Sequence, residues 1–166
     1  MLSRKRISAR DRRLAAVHEA GHVIMARHVG MAATSAWLEE LPGSGLYEKL
    51  WVGHTRYMSP TNLKTISQKT LAMFAVAGAV AECCWKRDSF DEDTWYDFDS
   101  MSATDWAGCG CEPGDPTDQT LDTIKVVFSL FDREVGKLWP TLSFEARRLI
   151  LDSRETRVAN PPDAAV

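Results

Sequence analysis

A chain of 166 residues is long enough to bury one well-packed core and short for two domains. Its apolar fraction of 45% and charged fraction of 26% are ordinary for a globular protein, and its net charge of -3 offers no general attraction to nucleic acid. No apolar stretch reaches the roughly 18 residues that a membrane-spanning helix needs, and the basic N-terminus leads into no signal-peptide core. We therefore expect a cytoplasmic protein without nucleic-acid or membrane partners.

Hydrophobic periodicity and turn residues predict a mainly α chain with a small β-hairpin. The expected elements are, in chain order, a disordered basic arm over 1–9, a helix over about 7–29, strands over 34–41 and 46–58 joined by Pro42-Gly43-Ser44-Gly45, helices over about 60–85, 118–138 and 141–153, and a tail over 159–166. Ser59 and Pro60 are the expected start of the second helix. Its apolar segment Leu71–Ala81 predicts that this helix is central. Pro140 is expected to separate the last two helices.

The first predicted helix contains His18-Glu19-Ala20-Gly21-His22, which spells H-E-x-x-H. Residues four apart lie on one helix face, offset by about 40° and about 6 Å, so both imidazoles can reach one metal ion. Glu19 lies about 100° around the helix, where its carboxylate can approach a water on that ion without being a ligand. The pattern is typical of hydrolytic zinc sites, in which a third protein ligand completes the site and one position stays open.

The alternative is an amphipathic helix with two buried, hydrogen-bonded histidines. Glu19 is the only charged residue between Leu14 and Ala26, whereas a solvated helix face would carry more charge. This favours the metal site. Gly21 costs the helix about 1 kcal/mol relative to alanine, which makes sense if another backbone packs closely against the same face.

Two further histidines are weak candidates for the third ligand. His28 lies ten residues after His18, as in the metzincins, but Met25 stands where that family needs a glycine to turn the chain. Without the turn, His28 lies about 9 Å further along the helix axis than His22, too far for a zinc–nitrogen bond of about 2.1 Å. His54 is expected on a strand, in a structural role.

Acidic residues are the stronger candidates. Glu82 stands alone as a charge in an apolar stretch, so if buried it is either a ligand or the hydrogen-bond partner of one of the histidines. The acid-rich loop that follows contributes Asp97, Asp99 and Asp105. The residue pattern leaves these alternatives open.

The four cysteines lack the C-x-x-C spacing of a structural zinc site or a redox pair. Cys83 and Cys84 lie in the apolar helix, where free cysteine behaves as a small hydrophobic residue. Cys109 and Cys111 lie in a glycine-rich loop, where they can be exposed thiols.

Four short segments follow one another along the chain: V-H-E-A-G-H-V-I at Val17–Ile24, Gly53-His54-Thr55, Ala77-Gly78-Ala79-Val80-Ala81-Glu82, and Ser102-Ala103-Thr104-Asp105. In this order they resemble the peptidase domain of the FtsH-type AAA proteases. The corresponding family segments are the zinc helix, a G-Y-T strand segment, an L-x-G-x-x-A-E helix motif and a G-A-S-N-D segment. The family usually has an arginine where this chain has Ala79.

The resemblance implies a helical zincin-like peptidase domain over 10–158, in which His18, His22 and Asp105 bind Zn²⁺ and Glu19 is the catalytic base. Family members join this domain to transmembrane helices and an ATPase, whereas no G-x-x-x-x-G-K-[ST] loop occurs here. We expect a stand-alone zinc metalloendopeptidase that needs no ATP itself. Its expected partners are flexible or unfolded polypeptide substrates and a separate ATPase or adaptor.

Substrate pairing is expected at the edge of strand Trp51–Tyr57, which can equally be ordinary sheet. Two other functions fit the same residues. One is a catalytically silent, zinc-stabilised interaction module with a regulatory role, and the other is a protease specific for one regulatory protein. The first binds metal without turnover, and the second cleaves one cognate protein only.

Overall fold

The computed structural model describes residues 4–42, 49–58, 66–87 and 101–159. Its elements are, in chain order, helix α1 (Arg4–His28), strands β1 (Ala32–Glu40) and β2 (Trp51–Met58), and helices α2 (Gln68–Lys86), α3 (Ala103–Cys109), α4 (Asp118–Phe131) and α5 (Trp139–Ala159). The prediction of a mainly α chain with a small antiparallel sheet is confirmed. No helix in the described ranges has both the length and the apolar character needed to cross a bilayer.

Helix α2 lies at the centre of the fold, as its apolar sequence predicts. It packs against α1, α3 and α4, and every residue from 75 to 81 is buried. The helix begins later than expected, because the hydroxyl of Ser67 accepts the backbone N–H of Thr70 at 3.1 Å and forms the N-cap. The predicted cap at Ser59 lies outside the described residues.

Helices α1 and α2 cross closely at Gly21. A Cβ atom added to Gly21 would lie 2.5 Å from the carbonyl oxygen of Ala77 and 2.9 Å from the Cβ of Ala81. The backbone of α2 therefore packs closely against this face, which accounts for a glycine at position 21. The close crossing brings the two helices that carry the histidines and Glu82 side by side.

Replacing Gly21 with alanine is expected to lower the free energy of unfolding by about 1–3 kcal/mol, although alanine is the better helix former. The added methyl group meets the α2 backbone, which cannot rotate away as a side chain can. Urea denaturation of the metal-free protein measures the effect. An unchanged free energy of unfolding would contradict the close crossing.

The N-terminal part of α1 is anchored rather than free. We expected residues 1–9 to form a disordered arm, but the helix begins at Arg4. Ile7 packs against the core, and the hydroxyl of Ser8 accepts the indole N–H of Trp51 at 3.0 Å. The packing of Ile7 on the core and the hydrogen bond of Ser8 to β2 anchor this end of the helix. At the other end, α5 runs to Ala159, and residues 160–166 of the expected tail lie outside the described residues.

Strands β1 and β2 pair in antiparallel register, with Trp37 opposite His54 and Leu38 opposite Gly53. Alternate residues of a strand face opposite sides of the sheet. Gly53 and Thr55 face α1, where they contact Glu19. The rings of Trp37 and His54 stack on the other face, 5.0 Å apart. The predicted connection at 42–45 lies mostly outside the described residues.

The boundary between α4 and α5 differs from the prediction. We expected α4 to reach about Leu138, but it ends at Phe131. The Asp132 carboxylate accepts the N–H groups of Glu134 and Val135 at 2.8 and 2.9 Å, which stabilises a turn in place of another helical turn. Pro140 lies in the first turn of α5, where its missing N–H costs nothing.

The cysteines are free thiols with different surroundings. Cys84 is a buried part of the core, as predicted. Cys109 is also buried, at the end of α3, rather than exposed in the loop. Burial raises the pKa of both the Cys84 and the Cys109 thiol to about 12. Cys84 and Cys109 are therefore not activated thiols, and Cys111 is half-buried with its Sγ 3.0 Å from the hydroxyl of Thr120.

Candidate metal centre

His18 and His22 converge from successive turns of α1. Their Nε2 atoms lie 3.1 Å apart, and their ring centroids are separated by 4.8 Å. Two ligands bound to one tetrahedral zinc ion lie about 3.4 Å apart, because zinc–nitrogen bonds are about 2.1 Å long. The two nitrogen atoms are therefore spaced for a shared cation.

The opposite side of each ring has its own hydrogen-bond partner. His18 Nδ1 lies 2.9 Å from Oε1 of Glu82, and His22 Nδ1 lies 2.9 Å from the carbonyl oxygen of Phe74. Both partners are acceptors, so each Nδ1 carries the proton and each neutral ring has its lone pair on Nε2. Two lone pairs facing each other at 3.1 Å repel unless a cation or a proton lies between them. Metal-binding histidines have this arrangement, with the second ring nitrogen donating to a carboxylate or carbonyl.

The pKa values of the two histidines shift in opposite directions. Burial lowers the pKa of His18, but the hydrogen bond to Glu82 and the negative charges of Glu82, Glu19 and Asp105 together outweigh it, so the pKa is raised. Burial and the neighbouring His18 lower the pKa of His22. The carboxylates around the two rings therefore favour a positive charge between the Nε2 atoms, which a bound metal ion supplies.

Glu82 is a hydrogen-bond partner of the centre and lies outside the group that can hold the ion. Its Oε1 atom is bonded to His18, and its Oε2 atom lies 3.6 Å from Nζ of Lys86. This is one of the two roles that the sequence left open for it. The bond fixes the tautomer and the orientation of the His18 ring.

Asp105 completes a group of three with His18 and His22. Their ligand atoms all lie within 4.8 Å of one another, and this group can hold a metal ion. Asp105 lies in the first turn of α3, where its Oδ2 accepts the backbone N–H and the hydroxyl of Ser102, both at 2.8 Å. Its Oδ1 lies 3.8 Å from Nε2 of His22. The capping box thus holds one carboxylate oxygen and directs the other to the histidines.

Neither of the other two candidate histidines joins the group. His28 is exposed at the end of α1, as its spacing predicts. His54 lies on β2 with its Nε2 3.1 Å from Oε2 of Glu39. Asp97 and Asp99 lie outside the described residues.

Glu19 is buried beside the centre. Its Oε2 accepts a hydrogen bond from the hydroxyl group of Thr55, with the two oxygen atoms 2.5 Å apart. A carboxylate in this place can act as a general base toward a water molecule at the centre. The centre opens on a cavity of about 770 Å³, and the apolar residues that line it include Trp51, Phe74 and Met101.

Sequence reasoning assigned no role to three residues that shape the centre, although all three lie in the segments that resemble the FtsH-type family. A Cβ atom added to Gly78 would lie 2.4 Å from Nε2 of His18, and one added to Gly53 would lie 2.2 Å from Cγ of Glu19. Thr55 is the third, through its bond to Glu19. A glycine in the middle of an apolar helix was the available signal for Gly78, because it costs the helix about 1 kcal/mol.

Comparison with protein-family models finds no match to this chain, and comparison with curated proteins finds none. Conclusions about function therefore depend on the geometry of the centre and on the sequence motifs.

Proposed function

We propose that the protein is a zinc metalloendopeptidase similar to the peptidase domain of the FtsH-type AAA proteases. The observation that carries the proposal is the pair of opposed Nε2 atoms of His18 and His22, 3.1 Å apart, with each Nδ1 held by an acceptor. Asp105 adds a carboxylate oxygen and Glu19 adds a buried base next to His18. Two histidines, one carboxylate and an adjacent glutamate are the components of a hydrolytic zinc site.

The donor set favours zinc over the common hard cations. Two imidazole nitrogens and one carboxylate oxygen suit Zn²⁺, whereas Ca²⁺ and Mg²⁺ prefer oxygen ligands. Ferrous iron accepts the same three donors. The carboxylate of Glu19 favours zinc, because peptide hydrolysis needs a general base and iron-dependent oxygenation does not.

His18, His22 and Asp105 would hold a zinc ion, which would supply Lewis-acid polarisation of the scissile carbonyl and would lower the pKa of a water molecule. Glu19 takes a proton from the attacking water at its carboxylate and returns it to the nitrogen of the leaving amine. Glu82 and the carbonyl of Phe74 keep both Nδ1 protons in place, so both Nε2 atoms remain unprotonated for metal binding.

The substrate in this proposal is an extended polypeptide segment that pairs with β2. The N–H of Leu41 donates to the carbonyl of Leu50 at 2.9 Å. Hydrogen-bonded pairs alternate along an antiparallel ladder, so the backbone N–H and C=O groups of Gly53 and Thr55 point away from β1. In the part of the chain that the structure describes, β1 is the only strand paired with β2. A flexible or unfolded segment can add there, close to Glu19, without ATP, or can be delivered by a separate ATPase or adaptor.

The proposal is tested with β-casein, an unfolded protein substrate. Protein stripped with a chelator should not cleave it, and one equivalent of Zn²⁺ should restore cleavage. Cleavage that persists after stripping would contradict a metal-dependent reaction. Zinc-loaded protein that leaves casein and unfolded peptides intact would favour the silent interaction module, whereas cleavage of one cognate protein alone would favour the specific regulatory protease.

A further inference from the structure

Strand β2 passes over the side chain of Glu19 and contacts it at two positions. The hydroxyl group of Thr55 donates a hydrogen bond to Oε2 of Glu19, with the two oxygen atoms 2.5 Å apart. Two residues earlier on the same face, Gly53 leaves the space that the Glu19 side chain fills, because a Cβ there would lie 2.2 Å from Cγ and 2.5 Å from Oε1. The position of this carboxylate is thus determined by β2 as well as by its own helix.

The hydrogen bond from Thr55 to Glu19 is charge-assisted. Its acceptor is a carboxylate, and charge-assisted bonds of this type are shorter and stronger than neutral ones. Threonine is branched at Cβ, which restricts its χ1 rotamers, so the strand holds the hydroxyl in a defined place. A free glutamate side chain samples several rotamers, most of which point its carboxylate elsewhere.

We infer that Thr55 is a positioning residue for the general base, an inference that depends on the proposed hydrolase function. The hydroxyl of Thr55 holds Oε2 of Glu19 and leaves Oε1 to accept the proton. Gly53 provides the space for this orientation of the carboxylate, because a side chain at position 53 would occupy the place of the Glu19 side chain. The side chain of Thr55 contacts neither substrate nor metal in this role and acts through Glu19 alone, whereas its backbone groups belong to the strand edge proposed to pair with the substrate.

The test compares Thr55→Val, which has the same shape without the hydroxyl, with Thr55→Ser, which keeps the hydroxyl. In Thr55→Val, kcat for a fluorogenic peptide should fall about 10- to 100-fold while KM and zinc stoichiometry stay at the wild-type values, because one hydrogen bond to a charged group is lost. Thr55→Ser should restore most of kcat. Unchanged circular dichroism and bound zinc show that Thr55→Val is folded.

A second readout does not require turnover. Acetohydroxamate binds an active-site metal ion through its oxygens and donates a hydrogen bond to a neighbouring carboxylate, so its Kd reports where Glu19 lies. By calorimetry, Thr55→Val should bind it about 10-fold more weakly than wild type, and Thr55→Ser should bind it like wild type.

Wild-type kcat and wild-type acetohydroxamate affinity in Thr55→Val would overturn the inference. Loss of zinc in Thr55→Val, or a Thr55→Ser variant as impaired as Thr55→Val, would overturn it as well, since either indicates a packing role. If the zinc-loaded wild type cleaves no peptide, the proposed function fails, and the acetohydroxamate affinities still decide whether Thr55 positions Glu19.

Discussion

Replacing Glu19 with glutamine is expected to lower kcat/KM for an unfolded substrate by about 10²- to 10⁴-fold, the range typical of a lost general base. Glutamine has almost the same shape and can still accept the hydrogen bond from Thr55. Its neutral amide cannot take a proton from water. Because Glu19 is not among the residues that can hold the ion, the variant should retain one zinc per chain, measured by elemental analysis beside the peptidase assay.

Glu112→Gln is the matched control for this variant, because Glu112 is exposed and does not line the cavity. It removes one negative charge and should leave both cleavage and zinc content unchanged. Undiminished cleavage by Glu19→Gln would remove Glu19 as the base. Loss of zinc from Glu19→Gln would show that the carboxylate holds the metal instead.

Replacing Gly78 with alanine is expected to weaken zinc binding by about 100-fold or more. The added Cβ would lie 2.4 Å from Nε2 of His18 and 2.6 Å from both neighbouring ring carbons, so the ring must leave its place. Substitutions that only loosen the support of a metal-binding histidine already cost about 10- to 100-fold in affinity. Alanine favours the helix by about 1 kcal/mol, so reduced helix stability would not explain the loss. Competition with a chelating dye measures the affinity.

Gly108→Ala is the control for Gly78→Ala, since it also adds a methyl group between α2 and a neighbouring helix. That methyl group would meet the Cβ of Ala75 at 2.9 Å, away from both histidines. Its zinc affinity should stay within a few-fold of wild type. Wild-type zinc affinity in Gly78→Ala would mean that the His18 ring does not lie against α2 when the metal is bound.

The parts of the centre that sequence could predict are those that local geometry determines. The spacing of His18 and His22 places both rings on one face of any helix, so their convergence needed no tertiary information. The sequence restricted Glu82 to two roles, metal ligand or hydrogen-bond partner of a histidine, because a lone buried charge needs a partner. The place of Asp105 came from the family resemblance, and the structure brings it to the histidines from a different helix.

The residues that sequence reasoning missed act over long distances in the chain. Thr55 is 36 residues from Glu19, and their contact depends on how β2 lies over α1. Gly78 matters because the ring of His18 packs on it across the helix crossing. Such contacts follow from packing, which a single sequence does not specify by periodicity.

The predicted boundaries of two helices were wrong for a related reason. The start of α2 is set by a hydrogen bond that the Ser67 hydroxyl accepts, whereas the cap signal at Ser59 and Pro60 predicted an earlier start. The end of α4 is set by hydrogen bonds that the Asp132 carboxylate accepts, whereas the helix-breaking Pro140 predicted an end near Leu138. The sequence also did not predict that α1 is helical before Ile7. The contacts that anchor this end of the helix join Ile7 to the core and Ser8 to β2, and both depend on tertiary packing.

The most direct test is anomalous diffraction at the zinc edge from crystals of the protein loaded with one equivalent of Zn²⁺. We expect a single peak about 2.0–2.2 Å from Nε2 of His18, Nε2 of His22 and Oδ1 of Asp105, with solvent at the fourth position. Imidazoles that point away from a common ion, or a zinc ion enclosed by four protein ligands, would contradict a hydrolytic metal centre.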